Sequence, residues 1–473
     1  MQLFNSLTRK KEELTLPKTG KVGMYTCGPT VYSTATIGNF RTYILSDLLA
    51  RSLRYLGSEV KHVMNLTDVG HLTGDNEGDA DTGEDRLVKA AKTTGKNAWD
   101  IAREYASEFM MHMESINIQK PDVVCKATDH IKEQIELILK LEARGYTYKI
   151  SDGIYFDTIA YEKMGNVYGQ LSTLGEIKEG ARVEVNTEKK NARDFALWKF
   201  SPLGERRQME WESPWGMGYP GWHIECSAMS MKYLGERFLL HVGGEDLRST
   251  HHPNEIAQSE GATGKKPFVK MWVHGAFLLV DGGRMGKSLG NAYTVETIKT
   301  RGFDPLALRY FYMTGHYRKQ INFTWEALTA SASALDKLRR VYFEAGHSRD
   351  SLSPEKMGKI ENYLQSFRDA LADDLDMPRA LAVVWEVVKS NIPGRDKQDL
   401  LASMDQVLGL DLAFWSPAVT TVTEEVTELL KKREEARAVK DFKLADEVRA
   451  KIEEAGYKIE DTNGVSRIVG KKS

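Results

Sequence analysis

Hydrophobic and polar positions near the start of the chain predict a strand, a helix and a second strand in succession. KVGMYT at 21–26 is a short apolar run typical of a buried strand, and Gly28 and Pro29 after it predict a sharp turn. From about Asn39 leucines recur with helical spacing, and Gly57 suits the end of that helix. VKHVMNL at 60–66 predicts the next strand. This order is typical of a parallel α/β layer.

The alternation of strands and helices is interrupted in the middle of the chain and then resumes. Helical patterns cover 97–116 and 130–144, whereas 150–199 has short strands and turns that predict an insertion. Strand patterns return at 238–242 and 269–275, and a hairpin follows with its turn near 281–283. From Pro305 onward the pattern is almost wholly helical, and it ends in a pair of helices closed by Gly456.

Composition narrows the class of protein without identifying it. The chain has 473 residues, which predicts two to four domains, and its net charge of −2 excludes a strongly basic binding protein. Three cysteines cannot form a disulfide framework, so we expect a reducing compartment and thiols that are available for metal binding or packing. Since the N-terminus has no apolar signal region and no apolar run could span a bilayer, we expect a cytoplasmic protein without membrane contact.

Four residues in separate patterns form a candidate metal site. Cys27 follows the first strand, Cys226 lies in PGWHIECSAM, and His251 and Glu255 lie in HHPNE. Two sulfurs, an imidazole and a carboxylate are ligands that Zn²⁺ accepts, and a spacing of four places His251 and Glu255 on one helical face. The alternative is a buried thiol at each cysteine and an ordinary histidine–glutamate pair on a helix, and ligand type alone favours this alternative.

The segment TIGN at 36–39 stands where the first helix begins, and it is a candidate anion site. Neither GxGxxG nor a P-loop follows the first strand, which argues against a dinucleotide fold or a P-loop enzyme. Gly38 lets the backbone approach a ligand closely, and a helix N-terminus favours negative charge.

Taken together, the motifs resemble those of cysteinyl-tRNA synthetases, a family of class I aminoacyl-tRNA synthetases, over nearly the whole length. The residues that carry the resemblance are CGPTVY at 27–32, TIGN at 36–39 in the place of HIGH, NLTDV at 65–69, GWHIECSAMS at 221–230, HVGGEDL at 241–247, HHPNEIAQSE at 251–260, RMGKSLGN at 284–291 in the place of KMSKS, LRYFYMTGHYR at 308–318 and the tail at 440–462. Their number and order, more than any one of them, carry the resemblance.

The resemblance implies an architecture. It implies an α/β fold with a split Rossmann-like parallel-sheet catalytic domain, an inserted connective domain and an all-helical C-terminal region. The expected boundaries are 1–118 and 205–275 for the nucleotide-binding catalytic domain, 119–204 for the insertion, 276–345 for the RMGKS loop and tRNA stem contacts, 346–415 for a helical bundle and 418–473 for an anticodon-binding domain.

The resemblance also implies an activity, ATP-dependent ligation of L-cysteine to tRNA(Cys) through a cysteinyl-adenylate, with Mg²⁺ bridging the phosphates. It implies one zinc ion held by Cys27, Cys226, His251 and Glu255; ATP bound by Thr36, Gly38, Asn39, Arg284 and Lys287; catalysis by Thr36, Asn39 and Lys287; and cysteine contacts from Thr67, Trp222 and Asp246. Since zinc binds a thiolate far better than an alcohol, the metal would reject serine. Trp222 could equally be a core residue.

The sequence departs from the family pattern at Thr36, where the signature has histidine, and at Ser33, where aspartate is usual. Two other hypotheses therefore stay open: a cysteine ligase with a non-tRNA amine acceptor, and a catalytically weakened paralogue that binds tRNA or cysteine. The retained tail at 418–473 favours tRNA as acceptor. We further expect a monomer. The candidate phosphate contacts are Arg309, Arg318, Lys319, Lys432 and Arg437, although for each residue taken alone an ordinary solvated charge is the favoured interpretation.

Overall fold

The chain forms two compact units, Met1–Ala413 and Phe414–Ser473. The computed structural model describes residues 1–15, 20–70, 86–172, 186–202, 204, 207–286, 289–346, 353–417, 423–462 and 465–471. Among the described helices, none combines the length and the apolar composition that crossing a membrane requires.

The first unit alternates strands and helices before it becomes largely helical. Its strands are β1 Gln2–Asn5, β2 Lys10–Glu13, β3 Lys21–Thr26, β4 Glu59–Leu66, β5 Val123–Lys126, β6 Thr147–Ile150, β7 Gly153–Phe156, β8 Phe195–Phe200, β9 Gly218–Pro220, β10 Phe238–Gly244, β11 Val269–Gly275, β12 Leu278–Val280, β13 Gly283–Arg284 and β14 Ile321–Phe323. Its helices are α1 Ile37–Tyr55, α2 Arg86–Thr94, α3 Ala98–Ser115, α4 Ile131–Ala143, α5 Thr158–Lys163, α6 Trp222–Leu234, α7 His251–Thr263, α8 Val295–Thr300, α9 Pro305–Met313, α10 Trp325–Ala345, α11 Pro354–Ala372, α12 Met377–Lys389 and α13 Gly394–Leu408.

A five-stranded parallel sheet forms the centre of the first unit, with strand order β11-β10-β3-β4-β5. All seven residues of β10 are buried, so this strand is covered on both faces, as central strands of parallel sheets are. The carboxyl ends of β3 and β10 are adjacent, because Leu240 pairs with Met24 and Val242 with Thr26. The predicted α/β class with a parallel sheet is confirmed, and this shared edge is where open α/β sheets bind ligands.

A second sheet, antiparallel with order β6-β7-β8-β9, is built mainly from the predicted insertion. The pairings cross the boundaries expected from the sequence at two places. The strand β5 lies beyond residue 118 yet pairs in parallel with β4, and β9 lies beyond residue 204 yet pairs with β8. Strands of four and three residues are too short to show a period of their own, so pairing decided where they belong.

The predicted hairpin after β11 is present, and helices follow it. Val280 pairs with Gly283 across a turn in which Asp281 and Gly282 both have positive φ, 49° and 76°. The strand β12 also pairs in parallel with β14. From α8 to α13 the unit is largely helical, and its apolar residues join the same buried core as the central sheet.

Arg309 cannot serve as the solvent-facing phosphate contact expected from the sequence, whereas Arg318 is exposed and that expectation stays a prediction. Arg309 is fully buried, and its guanidinium lies 2.6 Å from a carboxylate oxygen of Asp47. Arg318 lies 2.6 Å from a carboxylate oxygen of the buried Asp374. Both arginines therefore join segments within the first unit.

The second unit contains α14 (Glu424–Ala438) and α15 (Phe442–Glu454), followed by β15 (Tyr457–Thr462) and β16 (Val465–Lys471). Val426, Val448, Ile452, Tyr457 and Ile459 form its own small core. The predicted helical C-terminal region is confirmed, but it ends in an antiparallel pair of strands that the sequence did not predict. Gly456, with φ of 84°, ends the helical run as predicted, and the strands that follow are stabilised by pairing.

Candidate active site at the carboxyl edge of the sheet

Cys27, Cys226, His251 and Glu255, which we call the quartet, come together at the carboxyl end of β3. Cys27 directly follows β3, and its backbone N–H donates to the carbonyl of Val242 on β10. Cys226 lies in the second turn of α6, and the other two residues lie four apart at the start of α7. One atom from each of the four residues lies within 4.8 Å of the other three. The fold thus joins residues that the sequence places far apart.

The distances within the quartet fit a tetrahedral zinc. Zn–S bonds are about 2.3 Å long, so two sulfur ligands of one zinc lie about 3.7 Å apart. The sulfurs of Cys27 and Cys226 are 3.7 Å apart. The Cys27 sulfur lies 3.6 Å from Glu255 Oε1, and His251 Nε2 lies 3.1 Å from the same oxygen. All four residues are buried, as Zn²⁺ ligands commonly are, so the donor set fits the metal in type and in spacing.

The quartet has strongly perturbed proton affinities. Burial raises the pKa of the Cys27 thiol well above its usual range. Burial also opposes the thiolate of Cys226, but hydrogen bonds with Cys27 and His251 outweigh it and lower the pKa of Cys226 to about 6. Burial opposes the charged forms of His251 and Glu255 as well, yet their partners raise the pKa of His251 to about 10 and lower that of Glu255 to about 2. Cys226 and Glu255 therefore favour the thiolate and the carboxylate, the forms of these two groups that bind metal, whereas Cys27 and His251 favour their protonated forms and would release protons on binding a metal.

Further buried histidines lie beside the quartet. His241 on β10 places Nε2 3.0 Å from Glu255 Oε2, and its ring stacks on Trp272. His252 Nε2 lies 3.5 Å from the Cys27 sulfur, and its Nδ1 lies 2.7 Å from Nε2 of His274. Cys27, His241, His252 and Glu255 thus form a second set of atoms within 4.8 Å of one another.

The sequence analysis missed His252 and His274 as parts of the site. The local signal in the sequence was the pair of adjacent histidines in HHPNE. The motif predicts His251 as a ligand but does not indicate a role for His252. His274 is the sixth residue of β11, and its Nδ1 lies 2.8 Å from the hydroxyl of Ser6. We favour the quartet as the metal site, because it offers two sulfurs where the second set offers one, and soft thiolate ligands suit zinc.

Gly28 is the position at which the turn after β3 requires glycine. A Cβ on Gly28 would lie 1.7 Å from the carbonyl oxygen of Asn65, at the end of β4, which no side chain can tolerate. With glycine at this position, the Gly28 N–H donates a hydrogen bond to the Asn65 side-chain oxygen at 2.9 Å. This close approach fixes Cys27 against the neighbouring strand.

The three expected cysteine contacts surround the same edge. Thr67 follows β4, is buried, and accepts a hydrogen bond from the Asn65 amide at 3.1 Å. Trp222 is the first residue of α6, and the centre of its ring system lies 4.3 Å from that of His251. Asp246 lies on the short 3₁₀ turn after β10 and is exposed. Trp222 is thus adjacent to the quartet, and Thr67 and Asp246 each follow a strand of the central sheet.

The TIGN segment and the RMGKS loop lie side by side. The N–H of Ile37 donates to the carbonyl of Tyr293 at 2.9 Å, and Thr36 forms an isolated antiparallel bridge with Thr294. A Cβ on Gly38 would lie 3.3 Å from the sulfur of Met285, so glycine lets the loop approach the helix start. The structure therefore brings together two segments that the sequence separates by about 250 positions.

Arg284 lies on β13 with an exposed side chain, and Asn291 closes the loop that follows. The Asn291 side chain accepts from Gly286 N at 2.8 Å and donates to the Arg284 carbonyl at 3.1 Å. Lys287, expected to act in catalysis, lies outside the described residues. Beside the loop is a cleft of about 370 Å³, whose lining includes Ser33, Thr34, Thr36, Tyr105 and Thr294.

Comparison with known proteins assigns the chain to a family. A family model described as the class I (C) tRNA synthetase catalytic domain matches residues 14–333. A cysteine–tRNA ligase 1 from Burkholderia lata is 44% identical over 99% of this chain and 97% of its own length. A cysteine–tRNA ligase from Treponema denticola is 42% identical over 98% of each chain.

Solved structures support the fold. Two structures of Mycobacterium tuberculosis methionyl-tRNA synthetase with methionyl-adenylate match with TM-scores of 0.55 and 0.56. The first match covers 82% of this chain and 90% of the other, and the second covers 90% and 96%. Each is 14% identical in sequence, so these matches bear on the fold alone.

Proposed function

The chain belongs to the cysteine–tRNA ligases, a family of class I aminoacyl-tRNA synthetases, and we propose that its quartet holds a zinc ion that selects cysteine. Ligation of L-cysteine to tRNA with ATP is the activity that membership of this family assigns to the chain. The zinc, the single residue roles and the partners beyond these substrates are our proposal.

The observation that carries the proposal is the pair of sulfurs, Cys27 and Cys226, 3.7 Å apart beside His251 and Glu255. When bound, zinc supplies a Lewis acid that binds a thiolate in preference to an alcohol. A pocket shaped only by apolar contacts discriminates poorly between a thiol and a hydroxyl of nearly equal size, roughly a hundredfold at most. A metal held by the quartet would discriminate cysteine from serine by the chemistry of sulfur and oxygen, whereas the shape of a pocket would discriminate them poorly.

The surrounding residues orient the quartet. His241 Nε2 donates to the Glu255 carboxylate oxygen Oε2, which fixes the carboxylate so that Oε1 faces Cys27 and His251. His223 Nδ1 lies 2.9 Å from His251 Nδ1, which turns Nε2 of His251 toward the other ligands. Such partners set the orientation of a metal ligand and its proton affinity.

For the amino acid, we propose that Asp246 binds the ammonium group of cysteine by charge and that Thr67 and Trp222 line its pocket. Asp246, at the end of β10, is an exposed residue whose carboxylate supplies the negative charge for this contact. The Trp222 ring covers His251 and therefore limits the space beside the sulfur-binding position. These contacts would place the cysteine carboxylate toward the TIGN segment.

For ATP, we propose that donors at the start of α1 and on the RMGKS loop bind the phosphates. Thr36, Gly38 and Asn39 lie at the helix N-terminus, where backbone N–H groups favour anions. Arg284 and Lys287 would add positive charge to the triphosphate, with Mg²⁺ bound to ATP. Fixed donors of this kind stabilise the charge that develops as the α-phosphate is attacked.

For the acceptor, we propose tRNA(Cys), bound by a monomeric, cytoplasmic protein. The match to cysteine–tRNA ligases extends over 99% of the chain, so it includes the C-terminal unit that a ligase with a small amine acceptor would not need. Within the tRNA-binding region we propose stem contacts from 276–345, a helical bundle at 346–415 and anticodon contacts from 418–473.

The test combines metal analysis with cysteine-dependent ATP–pyrophosphate exchange. Cys226→Ser should lose zinc and, with it, discrimination of cysteine from serine. Cys125→Ser is the matched control, because Cys125 is a buried thiol on β5 that lies outside the quartet. The control should retain both zinc and selectivity. Unchanged rejection of serine in Cys226→Ser would refute zinc selection, and absence of exchange in the zinc-loaded parent would refute the activity.

A further inference from the structure

Both ends of the RMGKS loop are fastened to β14. At the first end, the N–H of Asp281 donates to the carbonyl of Phe323 at 3.0 Å, and the N–H of Gly282 donates to the side-chain oxygen of Asn322 at 2.7 Å. At the second end, the ring of Tyr293 packs against the ring of Phe323, with centroids 5.9 Å apart. One short strand therefore holds the chain just before and just after the loop.

Trp325, the first residue of α10, packs against this second end. The centre of its ring system lies 5.0 Å from that of Tyr293 and 5.2 Å from that of Phe323, both edge to face. Phe303 stacks on the indole at 6.0 Å, and the guanidinium of Arg301 lies 4.0 Å from the indole centre. We call the four rings the aromatic cluster. Because aromatic pairs prefer defined orientations, Trp325 restricts where the Tyr293 ring can lie.

The backbone of Tyr293 connects the aromatic cluster to the start of α1. The Tyr293 carbonyl accepts from the N–H of Ile37 at 2.9 Å. The next residue, Thr294, forms an isolated bridge with Thr36 and caps α8. Thr36 and Thr294 both line the cleft beside the loop. A shift of Tyr293 would therefore change the separation between the helix start and the loop.

We propose that Trp325 is a positioning residue for the ATP-dependent step, because through Tyr293 it holds the RMGKS loop at a fixed separation from the start of α1. The inference rests on the proposed function, since these two segments are the ones proposed to bind ATP. The alternative is that the aromatic cluster only adds to the buried core, so that its loss lowers stability without affecting one substrate more than the other. A positioning role predicts a different result, because apparent affinity falls with the fraction of molecules in the binding-competent arrangement.

The test compares the kinetics of ATP–pyrophosphate exchange in the parent and in Trp325→Ala. The KM for ATP should rise about fivefold or more. The KM for cysteine and the zinc content should stay within about twofold of the parental values, because the quartet lies after β3 and on α6 and α7. Trp325→Phe keeps a ring in the cluster and should return the KM for ATP to within about twofold of the parent. Equal rises of both KM values, or no rise for ATP, overturn the proposal.

Trp385→Ala is the matched control for lost stability. Trp385 is also a partly buried tryptophan of the first unit, and its indole N–H donates to the Tyr310 hydroxyl at 2.8 Å. Its loss should destabilise the unit in urea unfolding to a similar degree as Trp325→Ala, while the KM for ATP stays within about twofold of the parent. A rise in that KM equal to the rise in Trp325→Ala would show that lost stability alone is responsible, and it overturns the proposal.

A double-mutant cycle tests whether Trp325 acts through Tyr293. Tyr293→Ala removes the ring but keeps the carbonyl that accepts from Ile37. Combined with Trp325→Ala, it should raise the KM for ATP no more than about twofold beyond the larger single change, because the two rings share one contact. Rises that multiply in the double variant mean that the two rings act independently and overturn this assignment.

Hydrogen exchange measured by mass spectrometry tests the positioning without substrates. The amides to follow are Ile37, which donates to Tyr293, and Gly286, which donates to the Asn291 side chain. Both should exchange about fivefold faster or more in Trp325→Ala than in Trp385→Ala, since local opening becomes easier. Equal rates in the two variants overturn the proposal. Faster rates in Trp325→Ala, found together with a parent that lacks ATP–pyrophosphate exchange, support the positioning and refute the proposed function alone.

Discussion

The buried carboxylate of Asp47 on α1 binds groups from several segments of the first unit. Removing its charge tests whether these interactions stabilise the unit. Its carboxylate accepts from Arg51 Nε at 2.8 Å, from Arg309 Nη2 at 2.6 Å and from the Gln119 N–H at 2.9 Å. Asp47→Asn keeps the size of the side chain but removes its charge, so the two arginines lose their counter-charge.

The expected cost follows from burial. The Asp47 side chain is 1% exposed and that of Arg309 is 0% exposed. Breaking a buried pair by removing one partner costs about 3–5 kcal/mol, because the remaining charge stays out of water. Both guanidinium groups keep carbonyl partners, Arg309 at Leu408 and Arg51 at Gln406, so the free energy of unfolding should fall by about 3 kcal/mol, at the lower end of that range.

The assay is equilibrium urea unfolding of the parent and the variant, followed by tryptophan fluorescence. Asp336→Asn is the matched control, because the Arg340–Asp336 pair has a similar separation of 2.8 Å but side chains that are 33% and 50% exposed. Solvent screens such a pair, so this change should cost less than about 1 kcal/mol. A cost for Asp47→Asn no larger than that of the control would show that the junction does not stabilise the fold by charge.

Three other changes test separate parts of the molecule. Burial lowers the pKa of His62 to about 4, so the His62 imidazole binds a proton less readily in the folded state than in the unfolded state. Stability should therefore fall as the pH drops from about 6.5 to about 4, by up to about 3 kcal/mol, and His62→Gln should lose that part of the acid sensitivity in urea unfolding at each pH. Gly28→Ala forces a Cβ against the Asn65 carbonyl and should lower the melting temperature and the zinc content together; parental values for both would contradict the close approach. Asn291→Ala opens the loop after Arg284 and should raise the KM for ATP in exchange while changing the free energy of unfolding by less than about 1 kcal/mol.

Much of the fold followed from local patterns. The strands at 21–26, 60–66 and 269–275 and the helix after TIGN were predictable because buried strands and amphipathic helices leave short-range periods in the sequence. The turn at Asp281 and Gly282 was predictable because few residues tolerate positive φ. The short strands β5, β9, β15 and β16 were not, since pairing with another segment stabilises them and no local period marks them.

In the candidate site, too, some features follow from the sequence and others depend on tertiary structure. The sequence by itself determined which residue types stand in which motifs, and hence the family resemblance, which the comparisons confirm. It could not join Cys27 to Cys226 across 199 positions, because a sulfur-to-sulfur distance is a property of the packed sheet and helices.

Tertiary structure also decided which charges face water. The sequence pattern of α9 did not show that Arg309 pairs with a carboxylate 262 positions away. An arginine in a helical pattern does not indicate whether its side chain faces solvent or a buried carboxylate. The same applies to His252 and His274, which became part of the site only when α7 packed beside β11. Local periodicity specifies elements, whereas burial and partner choice depend on contacts between residues distant in the chain.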